Sequence, residues 1–238
     1  MNLIRLSDFD VIAFDADDTL WHNEELFWEF KRQFKAMLAH YPQIEPAGLG
    51  EFIDGKEVSN IAYYGYGFKS YALSMIEALL ELTNGAARGE DIERILELLK
   101  QQMTADLDFL PGVQEVLGDL SGRVDLMLIT KGDTQEQRHK IDKSGLAHYF
   151  RWIEVVHRKD EGVYRELLAK HGINPARFLM IGNALRSDVL PVAAIGGQAV
   201  YIPNNTTWAH ELEVAEHHSG LTYIEVGSLL ELRGMIAD

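Results

Sequence analysis

Val11-Ile12-Ala13-Phe14-Asp15-Ala16-Asp17-Asp18-Thr19 is a short apolar run that stops abruptly at a cluster of carboxylates. An unbroken apolar run of this length suits a strand buried on both faces, as strands of parallel sheets are. Such a strand delivers Asp15 at its carboxyl end. The signature recurs down the chain. Val124 to Ile129 ends at Thr130, Ile153 to Val156 ends near His157, Arg158 and Lys159, Phe178 to Ile181 ends at Gly182, and Gln198 to Ile202 ends at Pro203. Helix-competent segments lie between, at Gln114 to Leu120, Gln135 to Ser144, Glu161 to His171 and Ser187 to Ala194. Alternation of this kind from Asp106 onward predicts an α/β fold, a doubly wound parallel sheet covered on both faces. Ligands of such sheets bind beyond the carboxyl ends of the strands, where the polar residues named above emerge.

The stretch from Leu20 to Ala105 reads differently. Leu26, Phe27, Phe30, Phe34, Met37 and Leu38 follow helical spacing, as do Ile92, Ile95, Leu96, Leu99 and Met103, and Tyr71 to Leu82 is a further apolar, helix-competent run. These segments predict an all-helical insertion with its own small core. The expected division is an α/β core from residues 1–21 and 106–238, with a helical domain at 22–105. No internal repeat or low-complexity tract interrupts the pattern.

Composition narrows the classes of function. The 238 residues carry 37 acidic and 22 basic side chains, a formal net charge of −15. That surplus repels nucleic-acid backbones and anionic membranes at long range, so neither is an expected partner. A small anionic substrate remains compatible if a local cation reverses the field. Cysteine is absent, which excludes disulfides, thiolate nucleophiles and cysteine metal sites. No apolar run approaches the roughly 20 residues that span a bilayer. Met1 to Asp10 lacks the basic and apolar regions of a secretory signal. The expectation is a soluble cytoplasmic protein; its oligomeric state leaves no mark in the sequence.

Four strand ends carry candidate chemistry. Crowded carboxylates at Asp15, Asp17 and Asp18 repel, which suits a hard divalent ion with oxygen ligands, magnesium above all. A second carboxyl beside the first also suits general acid and base work. The same residues read equally as a charged turn capped by Thr19. Thr130, at the end of its apolar run, offers a hydroxyl to an anionic oxygen, or caps a helix while Gly132 turns the chain. Arg158 and Lys159 are either cations for a phosphate or a solvated pair. Gly182 permits a sharp turn after its strand, and Asp188 reads as a metal ligand or a helix cap.

Taken together and in order, these four sites resemble the four motifs of the haloacid dehalogenase-like superfamily, with a Rossmann-like core and a helical cap inserted after the first motif. The resemblance implies Asp15 as the nucleophile that forms an aspartyl-phosphate, and Asp17 as the acid/base residue. It implies Thr130, with Lys131, as the phosphate-binding group, and Lys159 as the lysine between nucleophile and phosphate. Asp15, Asp188 and the backbone carbonyl of Asp17 are the implied magnesium ligands. Asn183 stands where many relatives carry an Asp, which implies an outer role toward a metal-bound water or Lys159. An Asp at position 17 implies phosphoryl transfer rather than dehalogenation, because an alcohol leaving group needs a proton. The activity so implied is a magnesium-dependent phosphatase acting on a small phosphorylated metabolite. A phosphomutase or phosphotransferase, or a non-catalytic phosphate- or metal-binding module, is the alternative. In the cap, the aromatic and glycine run Tyr63 to Lys69 offers Lys69 to an anionic substrate group or packs between helices, and His22, after the first motif, is a further substrate contact or equally a solvated hinge residue or helix-start neighbour.

Overall fold

The computed structural model describes residues 3–204 and 220–237. Trp208, His210, His217 and His218, which the sequence leaves without a role, lie outside them. The described residues divide between two compact units. One takes Met1–Glu24, Leu107–Lys131 and Gln137–Asp238, and the other takes Glu25–Asp106 with Gly132–Glu136.

The first unit is the expected parallel sheet. Pairing Ile4–Arg5 (β1) with Ile236–Ala237 (β8) makes a separate two-stranded sheet. The main sheet holds Val11–Phe14 (β2), Asp125–Lys131 (β3), Trp152–Val156 (β4), Phe178–Gly182 (β5), Gln198–Tyr201 (β6) and Ile224–Glu225 (β7), in the order β4-β3-β2-β5-β6-β7. The chain leaves β2 toward β3 and β4 on one side, then returns to build β5, β6 and β7 on the other. The strand order therefore reverses at β2 and β5, the place where open α/β sheets form their binding crevice. Every residue of β2 is buried. Ile12 and Phe14 join one apolar cluster with Leu126, Leu128, Leu179 and Ile181, while Val11 and Ala13 join another with Met127, Ile129, Phe178 and Met180. The period of two along each strand thus sorts side chains to opposite faces.

Helices cover both faces. Val113–Leu120 (α5) and Leu229–Met235 pack on the first cluster, and Glu161–His171 on the second. Gly182 closes β5 because no side chain fits there: a Cβ would lie 2.3 Å from Asp188 Oδ2. Asp188 itself stands in a π-helical turn, Leu185–Val189, before the short helix Leu190–Ala194, where a plain helix start was expected from Ser187.

The second unit contains the helices Glu24–Leu38 (α1, from its second residue onward), Leu49–Tyr64 (α2), Phe68–Leu82 (α3) and Gly89–Thr104 (α4). Phe30, Phe34, Met37, Leu38, Tyr71, Met75, Leu79, Ile95 and Leu98 form its buried core. Among the described residues, no helix is long and apolar enough to cross a membrane.

Candidate active site

The first unit gathers the predicted strand-end residues. The N–H of Asp15 donates to Ile181 O at 2.9 Å, carrying the β2–β5 ladder one step past β2. The chain then coils tightly. Leu20 N–H reaches Ala16 O at 2.8 Å, and Asp18 takes φ 59, the left-handed region that Asp tolerates better than most side chains. The carboxylate of Asp18 accepts the N–H of Asn23 at 2.9 Å and of Glu24 at 3.1 Å. Asp18 is a structural member of this loop, and burial pushes its carboxyl up to about 6 against those N–H donors.

Lys159 is the hub. It follows β4 in the loop before the helix Glu161–His171, whose first N–H groups Asp160 caps through Val163 at 2.9 Å. Its ammonium donates to Asp15 Oδ1, and to Asp188 Oδ1 at 2.6 Å, with the lysine side chain 2% exposed. Arg158 points elsewhere: it is 76% exposed and pairs with Asp160 at 2.8 Å. Asp188 divides its carboxylate, Oδ1 to Lys159 and Oδ2 to the Ala184 N–H at 3.0 Å, so it is a cap and a charged partner at once. Burial pushes Asp15 up to about 7; Lys159 draws it down while Asp188 and Asp17 raise it further. Lys159 is also pushed upward, because Asp15 and Asp188 outweigh the cost of burying its charge.

Thr19 lies 3.3 Å from Asp15 Oδ2 and 3.2 Å from Asn183 Oδ1, with one hydroxyl proton to share between them. Thr130 stands inside β3, two residues past Leu128, the register partner of Phe14. It is fully buried, and among the described residues its hydroxyl has no hydrogen-bond partner. A buried hydroxyl left unsatisfied is costly, and an arriving anionic oxygen would satisfy it. Lys131 ends the strand, with its ammonium 3.2 Å from Ser187 Oγ.

Asp17 has a separate set of partners. Lys140 donates to both of its oxygens, at 2.6 and 2.7 Å. Trp21 Nε1 donates to Oδ1 at 2.7 Å and Gln137 Nε2 to Oδ2 at 2.8 Å. Neither Gln137 nor Lys140 was predicted. Both lie on the polar helix Thr134–Ser144 (α6), which the sequence marks only as helix-competent.

Two predicted substrate contacts fall out as follows. His22 lies in the first unit, half-buried, with its backbone N–H donating to Asp108 O at 2.9 Å. Lys69 lies in the second, where its ammonium pairs with Asp133 at 2.8 Å. Its N–H and that of Phe68 donate to Glu136, at 2.9 and 2.8 Å. Gly67 leaves room for that carboxylate: at φ 110, a Cβ would meet it at 2.5 Å. Within Tyr63 to Lys69, Phe68 stacks on Phe27 at 4.1 Å, while Tyr63 is 82% exposed.

Among the described residues, no three His, Asp or Glu side chains already form a metal cage. The donor chemistry nevertheless fits a hard cation. Asp15 and Asp188 share the single ammonium of Lys159, which leaves a surplus of buried negative charge carried on carboxylate oxygens.

A family model for haloacid dehalogenase-like hydrolases matches residues 9–196. Human N-acylneuraminate-9-phosphatase is 26% identical over 161 residues, covering 65% of each chain. A glyceraldehyde 3-phosphate phosphatase from Methanothermobacter thermautotrophicus is 28% identical over 123 residues, covering 48% of this chain and 54% of that one. The chain thus spans under two thirds of the length of these relatives. The crystal structure of a haloacid dehalogenase-like family hydrolase from Xanthomonas campestris superposes with a TM-score of 0.79 at 32% identity, over 96% of both chains.

Proposed function

The chain belongs to the haloacid dehalogenase-like hydrolases, and on that premise we propose that it is a magnesium-dependent phosphatase acting on a small phosphorylated metabolite in the cytoplasm. The observation that carries the reading is the convergence of Asp15, Lys159 and Asp188 at the strand-order reversal. The phosphatases among its relatives support it further.

In this reading an Asp15 carboxylate oxygen attacks phosphorus and the bond to the ester oxygen breaks, while Asp17 protonates the departing alcohol. Water then attacks the phosphorus of the aspartyl-phosphate and loses a proton to Asp17. The bond to Asp15 breaks, and phosphate leaves. Both carboxyl groups return to their starting states, and the sum is ester plus water to alcohol plus phosphate. Lys159 restrains the nucleophile and offsets charge, and the Thr130 hydroxyl, with Lys131, binds the transferred group. Magnesium would be held by the carboxylates of Asp15 and Asp188 and the backbone carbonyl of Asp17. When bound, it supplies the positive charge that lets an anionic nucleophile meet an anionic phosphate. Asn183, already engaged by Thr19, takes an outer role. The helical domain expected at residues 22–105 is assigned the substrate-selecting role of a cap.

The test is phosphate release from a panel of phosphomonoesters, with magnesium and with chelator, for the native chain and Asp15→Asn. Release that requires both magnesium and Asp15 is expected. A native chain that releases phosphate from no member would overturn the reading.

A further inference from the structure

The geometry points to Lys140, assisted by Gln137, as a positioning residue that fixes the Asp17 carboxyl for proton transfer to and from the ester oxygen. The inference rests on the phosphatase reading and deepens it. Three observations carry it.

The contact is chelating. The Lys140 ammonium reaches Oδ1 and Oδ2 of Asp17 at 2.6 and 2.7 Å, so it controls rotation of the carboxyl plane as well as its place. Its third proton goes to Asn23 Oδ1 at 3.1 Å, so all three donors are used on one loop. An exposed surface pair would not hold one geometry in this way, but the two side chains here are only 17% and 20% exposed.

The second observation is a division of labour on α6. Gln137 and Lys140 are three residues apart and therefore share a face. Gln137, 4% exposed, donates from Nε2 to Asp17 Oδ2 at 2.8 Å and to the backbone O of Lys131 at 2.9 Å. One side chain thus ties Asp17 to the end of β3, and the other ties it to Asn23. Ile141 anchors the same helix in the apolar cluster beneath the sheet.

The third is saturation. With Trp21 Nε1 at 2.7 Å, Asp17 accepts four hydrogen bonds from three side chains. Such a carboxyl keeps its orientation between turnovers, and transferring a proton requires it to exchange only one of those bonds. Without Lys140 each oxygen keeps a single donor, Trp21 on Oδ1 and Gln137 on Oδ2, and the plane is held less firmly.

A residue that acts on leaving-group protonation is needed most by esters with poor leaving groups. The experiment compares glycerol 3-phosphate, an alkyl ester, with p-nitrophenyl phosphate, whose phenolate departs without help. Lys140→Met should lower kcat on glycerol 3-phosphate by roughly 30-fold and on p-nitrophenyl phosphate by at most about 3-fold, with KM nearly constant for both. Lys140→Arg should recover most of the loss, because a guanidinium can also grip both carboxylate oxygens. Gln137→Met should show the same leaving-group preference more weakly. Equal losses on the two esters, a loss confined to KM, or an Arg variant no better than Met would each overturn the inference while leaving the phosphatase reading standing. A native chain that hydrolyses neither these two nor any other ester of the panel would overturn both.

Discussion

Asp15 and Asp17 stand two residues apart in one loop, and each is gripped by a lysine, yet their surroundings differ. Lys159 is buried and divides itself between Asp15 and Asp188, so two carboxylates compete for one charge. Lys140 is partly exposed and gives two of its three donors to Asp17 alone. The first arrangement leaves a deficit of positive charge and suits a group that receives an electrophile and a cation. The second leaves none and suits a group whose orientation matters more than its charge. Two carboxyls with opposite environments are what nucleophile and acid/base roles require.

Breaking the first half of that comparison should have the largest effect. Asp15→Asn is expected to cost at least about 10⁴ in kcat, on every ester alike, in a phosphate-release assay. Asp17→Asn should cost about 10²–10⁴ on an alkyl phosphate and far less on p-nitrophenyl phosphate. Equal loss on both would erase the distinction between the two residues. Stability separates the lysines in turn. Lys159→Met strands two buried carboxylates and should lower the unfolding free energy in urea by about 3–5 kcal/mol. Lys140→Met, at the edge of the site, should cost about 1 kcal/mol.

A comparably small effect comes from a third carboxyl, in the other unit. Glu57 lies beside Asp54, which takes Lys31. Burial first, then Asp54, pushes Glu57 from 4.5 up to about 7. Its folded value lies above its unfolded one, so the protonated form favours folding. The penalty for ionisation is absent below 4.5, grows between 4.5 and about 7, and is full above that. Glu57→Gln should therefore stabilise the protein by about 1 kcal/mol at pH 8, a value reduced for its partial exposure, and not at all at pH 4. Urea unfolding at the two pH values checks it.

Much of this was legible in the sequence, for identifiable reasons. β2 and the helix Glu161–His171 fall where the pattern places them, because an unbroken apolar run and a helix-competent segment between strands are strong local signals. β3 runs on through Thr130 and Lys131, since both pair with β4, a long-range fact that no local pattern carries. β1, β7 and β8 have two residues each, too few for any period. α2 escaped notice because Gly50 and Gly55 interrupt it and few of its side chains are buried. Of the site, the residues at strand ends were readable because the strands announce them. Lys140 and Gln137 were not, because α6 is polar along its length and only the fold shows which face it buries.

The central claim is that Asp15 carries the phosphoryl group, and its most direct test is to trap that group. Acyl phosphates are reduced by borohydride to alcohols, so protein quenched with borohydride during turnover and digested should be altered at position 15. Peptide mass spectrometry should find the reduced side chain at Asp15 alone, only when a hydrolysable ester is present. Reduction at another carboxyl, or an unaltered Asp15 in protein that is turning over, would contradict the account.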